Sequence, residues 1–282
     1  MKKKTLILLL LILSFGLLTW RSYVHNATPC PVFKLVERTE IEILPVEIHP
    51  ILKIANERNV KIKSFICTDI DVRIERNGSK HKLSGSMMYE KDRNFRLNVS
   101  SFFGKELDMG SNNEQFWVWS RRVDPKATMF FADHDNLYKT RLRTPFVPLW
   151  IMNALGYRVI DPNEDQAYFK ETEEHLIVSR NVISPTGEPL VKRAYIDKKT
   201  HRVVAYYLYG TDGIEITMTQ IGYYDDGLPR KIYMRWNEEN VVMDFIFNNP
   251  KVNESMDSNN FELPNYKNRI EMGKDEIPSR VD

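Results

Sequence analysis

Cysteine and histidine are scarce in this sequence, with two cysteines and six histidines among 282 residues. Two cysteines exclude a disulfide scaffold and a four-cysteine zinc site. The histidines are scattered along the chain, and no two of them stand at a spacing typical of metal ligands. The sequence therefore predicts neither a metal site nor a cofactor.

An excess of one charge is also lacking, because 40 lysines and arginines face 38 aspartates and glutamates, for a net charge of +2. The first 28 residues contain basic side chains and no acidic one, so the small excess belongs to that segment. A nucleic-acid-binding protein needs a basic surface to neutralise phosphates. The nearly neutral remainder of the chain therefore argues against a nucleic-acid partner.

Motifs of the common enzyme classes are absent: there is no G-x-S-x-G, no G-x-G-x-x-G and no phosphate-binding G-x-x-x-x-G-K-[ST]. Ser84 or Ser86 near His81 is the one local pair that resembles a nucleophile and a base, and nothing in the sequence orients it. We therefore predict a protein that is not an enzyme.

The N-terminus has the layout of an export signal. Lys2, Lys3 and Lys4 precede an apolar run from Leu6 to Trp20, and a cationic head before such a run is typical of a secretory signal. The run is short for a membrane-spanning helix. We interpret residues 1–28 as a signal peptide or an N-terminal membrane anchor, and cleavage, retention and lipidation all stay open.

Export would place the rest of the chain in a compartment that permits disulfides. Cys30 lies just before the folded part, in a poor lipobox context, and Cys67 lies in the first predicted strand. A Cys30–Cys67 bridge would join the N-terminal arm to the sheet. The alternative is two unpaired thiols.

The remaining chain divides into three parts. Residues 29–47 contain three prolines and are typical of an extended arm. Residues 48–265 form the predicted domain, which opens with a short amphipathic helix over 48–59 and continues from Val60 as strands separated by turn signals every 8–12 residues or so. Residues 266–282 are a polar, exposed tail. This spacing favours a β-barrel or a sandwich.

One segment interrupts the strands. Residues 144–156 predict a short, very apolar helix that ends at Gly156. Because such a helix must be covered on every side, it would lie inside a barrel or across its mouth.

Dense apolar blocks occur at Phe116–Trp119, at Met129–Phe131 and in the apolar helix. They do not alternate with polar residues, as a strand with one solvated face would. Both faces of these strands are therefore covered, or one of them lines a cavity. A plain two-layer core is the simpler interpretation.

Three stretches of the sequence, Leu83–Tyr89, Phe95–Val99 and Lys105–Trp119, resemble the LolA/LolB-like superfamily, and the likeness extends over residues 48–264. The resemblance implies a mainly β fold, an incomplete antiparallel β-barrel of about 11–12 strands that encloses an apolar cavity, with short helices as plug or lid. It also implies binding of lipids or lipid-modified proteins in the periplasm.

Under this resemblance, the large apolar residues of the three blocks become candidates for the lining of a lipid-binding cavity, although the sequence does not fix which strand faces point inward. The candidates are Trp117, Trp119, Phe131, Phe146, Leu149, Trp150 and Met152. Arg96 becomes a candidate for holding the lid, with a surface arginine as the equally simple alternative.

The predicted function is binding of a lipid or of a protein's acyl chain without catalysis, for transport to the outer membrane or sensing there. We expect a monomer in the periplasm, with membrane contact through the N-terminal segment. An envelope scaffold or sensor that binds a protein partner is the first alternative, and a lipid-acting enzyme is the second.

Overall fold

The structure is a computed structural model that describes residues 49–91, 93–122, 125–140, 148–161, 167–184 and 187–273. The side chains of Tyr138, Pro148, Leu149 and Ile151 fall outside the description. The predictions for residues 1–28 and 29–47, including Cys30, also lie outside it, as does Phe146.

The first half of the fold is a helix followed by six consecutive strands. These elements are α1 (Pro50–Lys61), β1 (Ser64–Arg76), β2 (Ser79–Glu90), β3 (Asn94–Ser101), β4 (Gly104–Ser111), β5 (Gln115–Ser120) and β6 (Thr128–Asp133). A 3-10 helix (His134–Lys139) and the short helix α2 (Pro148–Asn153) follow.

The second half is a run of antiparallel strands with a few short additions. The strands are β7 (Tyr168–Glu171), β8 (His175–Ile183), β9 (Pro189–Asp197), β10 (Val203–Gly210), β11 (Glu215–Tyr223), β12 (Pro229–Trp236), β13 (Val241–Asn248), β14 (Lys251–Val252) and β15 (Asn268–Glu271). A 3-10 helix at Ser258–Phe261 precedes β15.

All these strands belong to one sheet made of two meanders. The first wing is β1 to β6 and the second wing is β7 to β13, and each follows chain order. The wings join where β1 pairs antiparallel with β13, with Ile70 opposite Phe247. The sheet ends at β7 on one side and at β15 beside β6 on the other, so it does not close into a barrel.

This architecture confirms the predicted mainly β, incomplete antiparallel barrel with short helices. Fifteen strands are present in the described residues, against the 11–12 expected. Two of the additional ones, β14 and β15, have two and four residues. Strands that short carry too few positions for a period of two to be recognised.

Alternation along the strands defines an inner face, which carries the large apolar cluster of the molecule. On β3, Phe95, Leu97 and Val99 are buried, while Arg96 and Asn98 between them are partly exposed. Since successive side chains of a strand point to opposite faces, one apolar set from the strands of both wings meets on the inner face. Each fully buried large side chain contributes roughly 1.5–3 kcal/mol to this packing.

Helix α1 spans one end of the sheet, from the first wing to the second. Lys91 Nζ, after β2, donates to Asn59 O at 2.6 Å. On the other side, the Arg58 guanidinium donates to Thr200 O at 3.0 Å and to His201 O at 3.2 Å, in the turn between β9 and β10. We call this the closed end. The hairpin turns at the opposite ends of the strands form the far rim.

Helix α2 packs against the inner face, where the sequence had predicted an apolar helix. Trp150, Met152 and Leu155 belong to the apolar cluster together with the strands. The helix ends at Asn153, three residues before the predicted end at Gly156. Gly156 has φ +77, a left-handed conformation that suits glycine, and lies in the turn that follows the helix. Asn59 Nδ2 of α1 donates to Gly156 O at 3.1 Å, which ties the two helices together.

Within the described ranges, no helix combines the length and the apolar character needed to cross a bilayer.

Candidate functional site

The inner face holds one continuous apolar cluster, to which both wings and both helices contribute. Its most unusual component is methionine. The methionines of this cluster are Met87, Met109, Met152, Met234 and Met243. A thioether side chain is unbranched and polarisable, so it adapts to irregular shapes and tolerates a changing neighbour. The inner face is therefore the natural place to seek a site for a flexible apolar ligand.

The structure divides the predicted cavity residues between two places. Trp150 and Met152 lie in the inner cluster, whereas Trp117 and Trp119 form a separate cluster on the outer face, with Phe131 packed against it. The seven candidates therefore do not share one lining.

The cause of this division is the strand period of two. On β5, Phe116 and Val118 face inward, so Trp117 and Trp119 must face outward. On β6, Phe130 and Ala132 face inward in the same way. The dense apolar blocks reflect strands covered on both faces, one of the two interpretations that the sequence left open.

A polar group lies beside α2 on the inner face. Lys192 Nζ is 5.4 Å from the centre of the Trp150 ring and 5.1 Å from that of Tyr206. Arg180 stands directly opposite Lys192 across the β8–β9 pairing, and both side chains are buried. Burial raises the pKa of the Tyr206 hydroxyl to about 12, so the phenol stays neutral at physiological pH.

The indole of Trp150 adds a donor to this group. Its Nε1 is buried and forms no hydrogen bond with the described residues. A buried donor without a partner costs free energy, and an oxygen acceptor brought in by a ligand would remove that cost. The group therefore places two basic side chains beside a hydrogen-bond donor, the Trp150 indole, which suits a carbonyl or carboxylate oxygen.

The outer cluster is covered by the C-terminal segment. Trp117, Trp119 and Met129 form its buried centre, and Leu263 and Tyr266 pack against it. The Tyr266 ring stacks on Trp119 with 4.9 Å between ring centres. Strand β15 then pairs in parallel with β6. The folded unit consequently extends beyond residue 265, the predicted end of the domain.

A buried carboxylate fastens this segment to the sheet. Asp108 Oδ2 accepts from the Tyr266 hydroxyl at 2.6 Å and from Arg96 Nη2 at 2.7 Å, and Lys105 Nζ lies 3.2 Å away. Arg96 Nη1 also donates to Asn260 O at 3.1 Å. Burial raises the pKa of Asp108, but the hydrogen bonds from Arg96 and Tyr266 and the positive charges nearby outweigh it, so the pKa lies below the ordinary aspartate value.

Arg96 thus contacts the C-terminal segment and the outer face rather than α1 or α2, the helices expected to form a lid. Its guanidinium also lies 5.5 Å from the centre of the Trp117 ring. Tyr266 and Asp108 were missed by the sequence reasoning. The pattern Leu263-Pro264 followed by Tyr266 was the one available signal of a docked segment.

The structure separates the serine and histidine pair considered as catalytic. On β2, His81 is opposite Ile74, which belongs to the inner cluster, whereas Ser84 and Ser86 have the opposite parity and point to the outer face. Among the described residues, no three histidine, cysteine or carboxylate side chains come together as metal ligands.

Cys67 is buried at the start of β1, with Sγ 3.1 Å from Asp69 O. Burial raises the pKa of this thiol, so the thiol is protonated and weakly reactive at neutral pH. Cys30 lies outside the described residues, and the Cys30–Cys67 bridge therefore stays a prediction.

Comparison with known proteins identifies the fold. No protein-family model matches the chain, and no curated protein matches it. Among solved structures, it is similar to an outer membrane lipoprotein-sorting protein domain from Vibrio parahaemolyticus, with a TM-score of 0.53 and 10% identity over 74% of this chain and 95% of the other.

Two further structures give the same picture. A LolA superfamily protein from Nitrosomonas europaea matches with a TM-score of 0.50 and 11% identity over 76% of this chain and 96% of the other. A DUF1329 family protein from Desulfovibrio piger matches with a TM-score of 0.51 and 12% identity, over 75% of this chain and 94% of the other. These likenesses confirm the LolA-like resemblance at the level of the fold.

Proposed function

We propose that the inner face binds the acyl chain of a lipid or of a lipid-modified protein, without catalysis. The observation that carries this proposal is the short helix α2, which packs on the apolar inner face. In the described residues the sheet does not close, and α1 and the six-residue helix α2 contribute to the apolar cluster on its inner face, which is rich in methionine. A short apolar helix is a cover that a ligand can replace.

The free energies of burial favour such a replacement. A sixteen-carbon chain gains roughly 12 kcal/mol gross when it leaves water, at about 0.8 kcal/mol per methylene. Exposing Trp150 and Met152, the two buried apolar side chains among the described ones of α2, would cost about 3–6 kcal/mol. The gain from burying the acyl chain therefore exceeds the cost of exposing these two side chains.

The polar group beside α2 gives the ligand an orientation. Lys192 and the Trp150 indole lie next to each other, and both are hydrogen-bond donors. The oxygen-rich end of the ligand, an ester, carboxylate or phosphate, would accept a hydrogen bond from Trp150 Nε1, a buried donor without a partner in the described residues, while the alkyl chain follows the apolar face. No covalent step is involved.

We also propose that the protein acts in the periplasm. This part of the proposal rests on Lys2, Lys3 and Lys4 before the apolar run from Leu6 to Trp20. The run would export the chain and, if retained, tether it to the membrane. Lipid-bearing ligands would then be within reach.

Photochemical labelling of the full-length protein tests the binding site. Cells supplied with a photoreactive palmitate analogue are irradiated, and the labelled positions are mapped on the denatured chain by mass spectrometry. We expect labels at inner-face residues such as Met243 and Phe245, and none at the outward-facing tyrosines Tyr207 and Tyr233. Denaturation before purification removes lipids that are not covalently crosslinked to the chain.

A matched pair of variants shows whether α2 takes part. Trp150→Asp places a charge on the inner face and should abolish the labelling, whereas Val60→Asp, at an exposed apolar position of α1, should leave it unchanged. Circular dichroism checks that both fold. Labelling confined to residues 1–28, or absent from the chain, would refute the proposal and favour a scaffold that binds a protein.

A further inference from the structure

The second wing ends in an open edge at β7. Within the described residues, β7 pairs with β8 and no strand lies beyond it. An edge strand presents backbone N–H and C=O groups that a further strand can bind. On the other wing a terminal segment already extends the sheet, because the C-terminal strand β15 pairs in parallel with β6. Strand β7 is the corresponding position on the second wing.

The pairing of β7 shows which of its backbone groups point outward. Thr172 N donates to His175 O at 2.8 Å and closes the turn between β7 and β8. In an antiparallel pair, residues whose backbone groups point to the partner strand alternate with residues whose groups point away from it. Counting back from Thr172, the N–H and C=O of Phe169 and of Glu171 point away from β8. These two residues therefore offer donors and acceptors to a neighbouring strand.

The N-terminal arm joins the described structure beside this edge. His49, the residue before α1, donates from Nε2 to Glu171 Oε1 at 2.9 Å, since its Nδ1 accepts from Ile51 N at 3.3 Å. The centre of the His49 ring lies 5.9 Å from that of the Phe169 ring. Lys198 Nζ also donates to Glu171, at 2.6 Å. These contacts place the end of the arm next to the two residues whose backbone groups point outward.

The arm contains a sequence typical of a strand. Residues 39–44 read Thr-Glu-Ile-Glu-Ile-Leu, and β-branched residues alternate with glutamates over the first five of them. From Leu44 to His49 the extended chain spans at most about 17 Å. The four-residue strand β7 is only about 13 Å long. Residues 39–44 can therefore reach the whole of this edge.

The two faces of β7 match the two faces of this segment. Phe169 packs against the inner cluster, so its neighbours Tyr168 and Lys170 lie on the outer face, where Lys170 is exposed. With the two isoleucines of the segment on the inner face beside Phe169, its two glutamates lie on the outer face beside Lys170. Apolar side chains would then adjoin an apolar ring, and carboxylates an ammonium group, as favourable cross-strand neighbours do.

We infer that residues 39–44 pair with β7 as a further strand of the sheet, so that the chain covers the edge of its second wing with its own N-terminal arm. An open sheet edge is a template for pairing with other chains, and the arm would exclude them. This inference goes beyond the proposed function, because it concerns the edge of the sheet and requires no acyl chain on the inner face.

Amide hydrogen exchange of the full-length protein in detergent micelles tests the inference. Mass spectrometry follows the peptides that cover residues 36–45 and 167–172. We expect the amides of residues 39–44 to exchange at least about tenfold more slowly than in a free peptide of the same sequence, because strand hydrogen bonds protect them. The peptide 167–172 should be protected as well, since the amides of Phe169 and Glu171 would be bonded to the arm.

Two double proline variants form the matched pair. Ile41→Pro with Glu42→Pro removes two consecutive N–H groups, one of which points to β7 in any register. This variant should speed exchange at the outward amides of β7 about tenfold. Lys34→Pro with Leu35→Pro, earlier in the arm, should leave both peptides unchanged. Unchanged exchange in β12 checks that both variants fold.

Two results would overturn the inference. One is exchange of residues 39–44 as fast as in the free peptide. The other is protection of the peptide 167–172 that persists in the variant with Ile41→Pro and Glu42→Pro, and if this protection rises with protein concentration, a second copy of the chain occupies the edge. Labelling of the inner face by the palmitate analogue is a separate measurement, so failure of the proposed function and failure of this inference are distinguishable.

Discussion

Replacing Asp108 with asparagine removes the charge that joins the C-terminal segment to the sheet and keeps the shape of the side chain. The side chain of Asp108 is fully buried, and its Oδ1 lies 2.7 Å from Arg96 Nε. Its Oδ2 accepts the Tyr266 hydroxyl at 2.6 Å. Asparagine would leave Arg96, whose side chain is 15% exposed, without its counter-charge.

The expected loss follows from the burial of this pair. Removing one partner of a buried ion pair costs about 3–5 kcal/mol. Because Arg96 keeps some contact with solvent and its bond to Asn260 O, the lower end, about 3 kcal/mol, applies. For a domain of this size each kcal/mol shifts Tm by roughly 2–4 °C, so Tm should fall by about 6–12 °C.

The effect should depend on pH in a defined direction. The pKa of Asp108 in the folded protein is below its ordinary value, so the unfolded chain takes up a proton first as the pH falls. The stabilisation by this carboxylate is complete at neutral pH and is lost as the pH falls from about 4 through the lowered pKa. The difference in stability between wild type and Asp108→Asn should therefore shrink in acid.

Urea unfolding at pH 7 and at pH 3 measures both quantities. Asp71→Asn is the matched control, because Asp71 is exposed on β1 and its loss should change the free energy of unfolding by less than about 0.5 kcal/mol. An Asp108→Asn variant within about 1 kcal/mol of wild type at pH 7 would refute this account of the network.

Three further substitutions test other contacts. Gly110→Ala should lower the free energy of unfolding by about 1–3 kcal/mol, because the added Cβ would overlap the Trp117 ring. Gly222→Ala is the control, since a Cβ there meets nothing closer than 3.9 Å. Equal losses of stability in the two variants would contradict the close packing of Gly110 on Trp117. Tyr266→Phe keeps the stacking and removes the bond to Asp108, so urea unfolding should show a loss of about 1.5 kcal/mol, and an unchanged midpoint would argue against that bond. Lys91→Ala removes the donor to the end of α1 and should speed amide hydrogen exchange in α1 but not in β12. An equal change in the exchange rates of α1 and β12, or no change, would show that other contacts hold the helix.

The strands could be predicted well from the sequence because their signals are local. Turn residues such as Asn77-Gly78 and Asp212-Gly213 separate runs of alternating hydrophobicity, and the structure has hairpin turns at both. The existence of helix α2 could be predicted for a related reason, because an apolar run before a glycine favours a short buried helix. Its bounds could not, since the helix covers Pro148–Asn153 and not all of 144–156.

The candidate site was less predictable because it depends on which face each strand turns inward. Both faces of β5 are apolar, so its alternating pattern does not show whether Phe116 or Trp117 faces inward. In the structure Val118 stands opposite Met109 of the inner cluster, and Trp119 on the other face stacks with Tyr266, a residue distant in sequence. The role of Arg96 was obscured in the same way, because its partner Asn260 lies 164 residues away.

Methionine methyl signals give the most direct test of acyl-chain binding on the inner face. Isotope-labelled methionine methyl groups report from Met109 and Met243 on the inner face and from Met129 in the outer cluster. When sodium palmitate is titrated into the full-length protein, we expect saturable shifts at Met109 and Met243 and none at Met129. Shifts confined to Met129, or no saturable shift at any of the three, would contradict it.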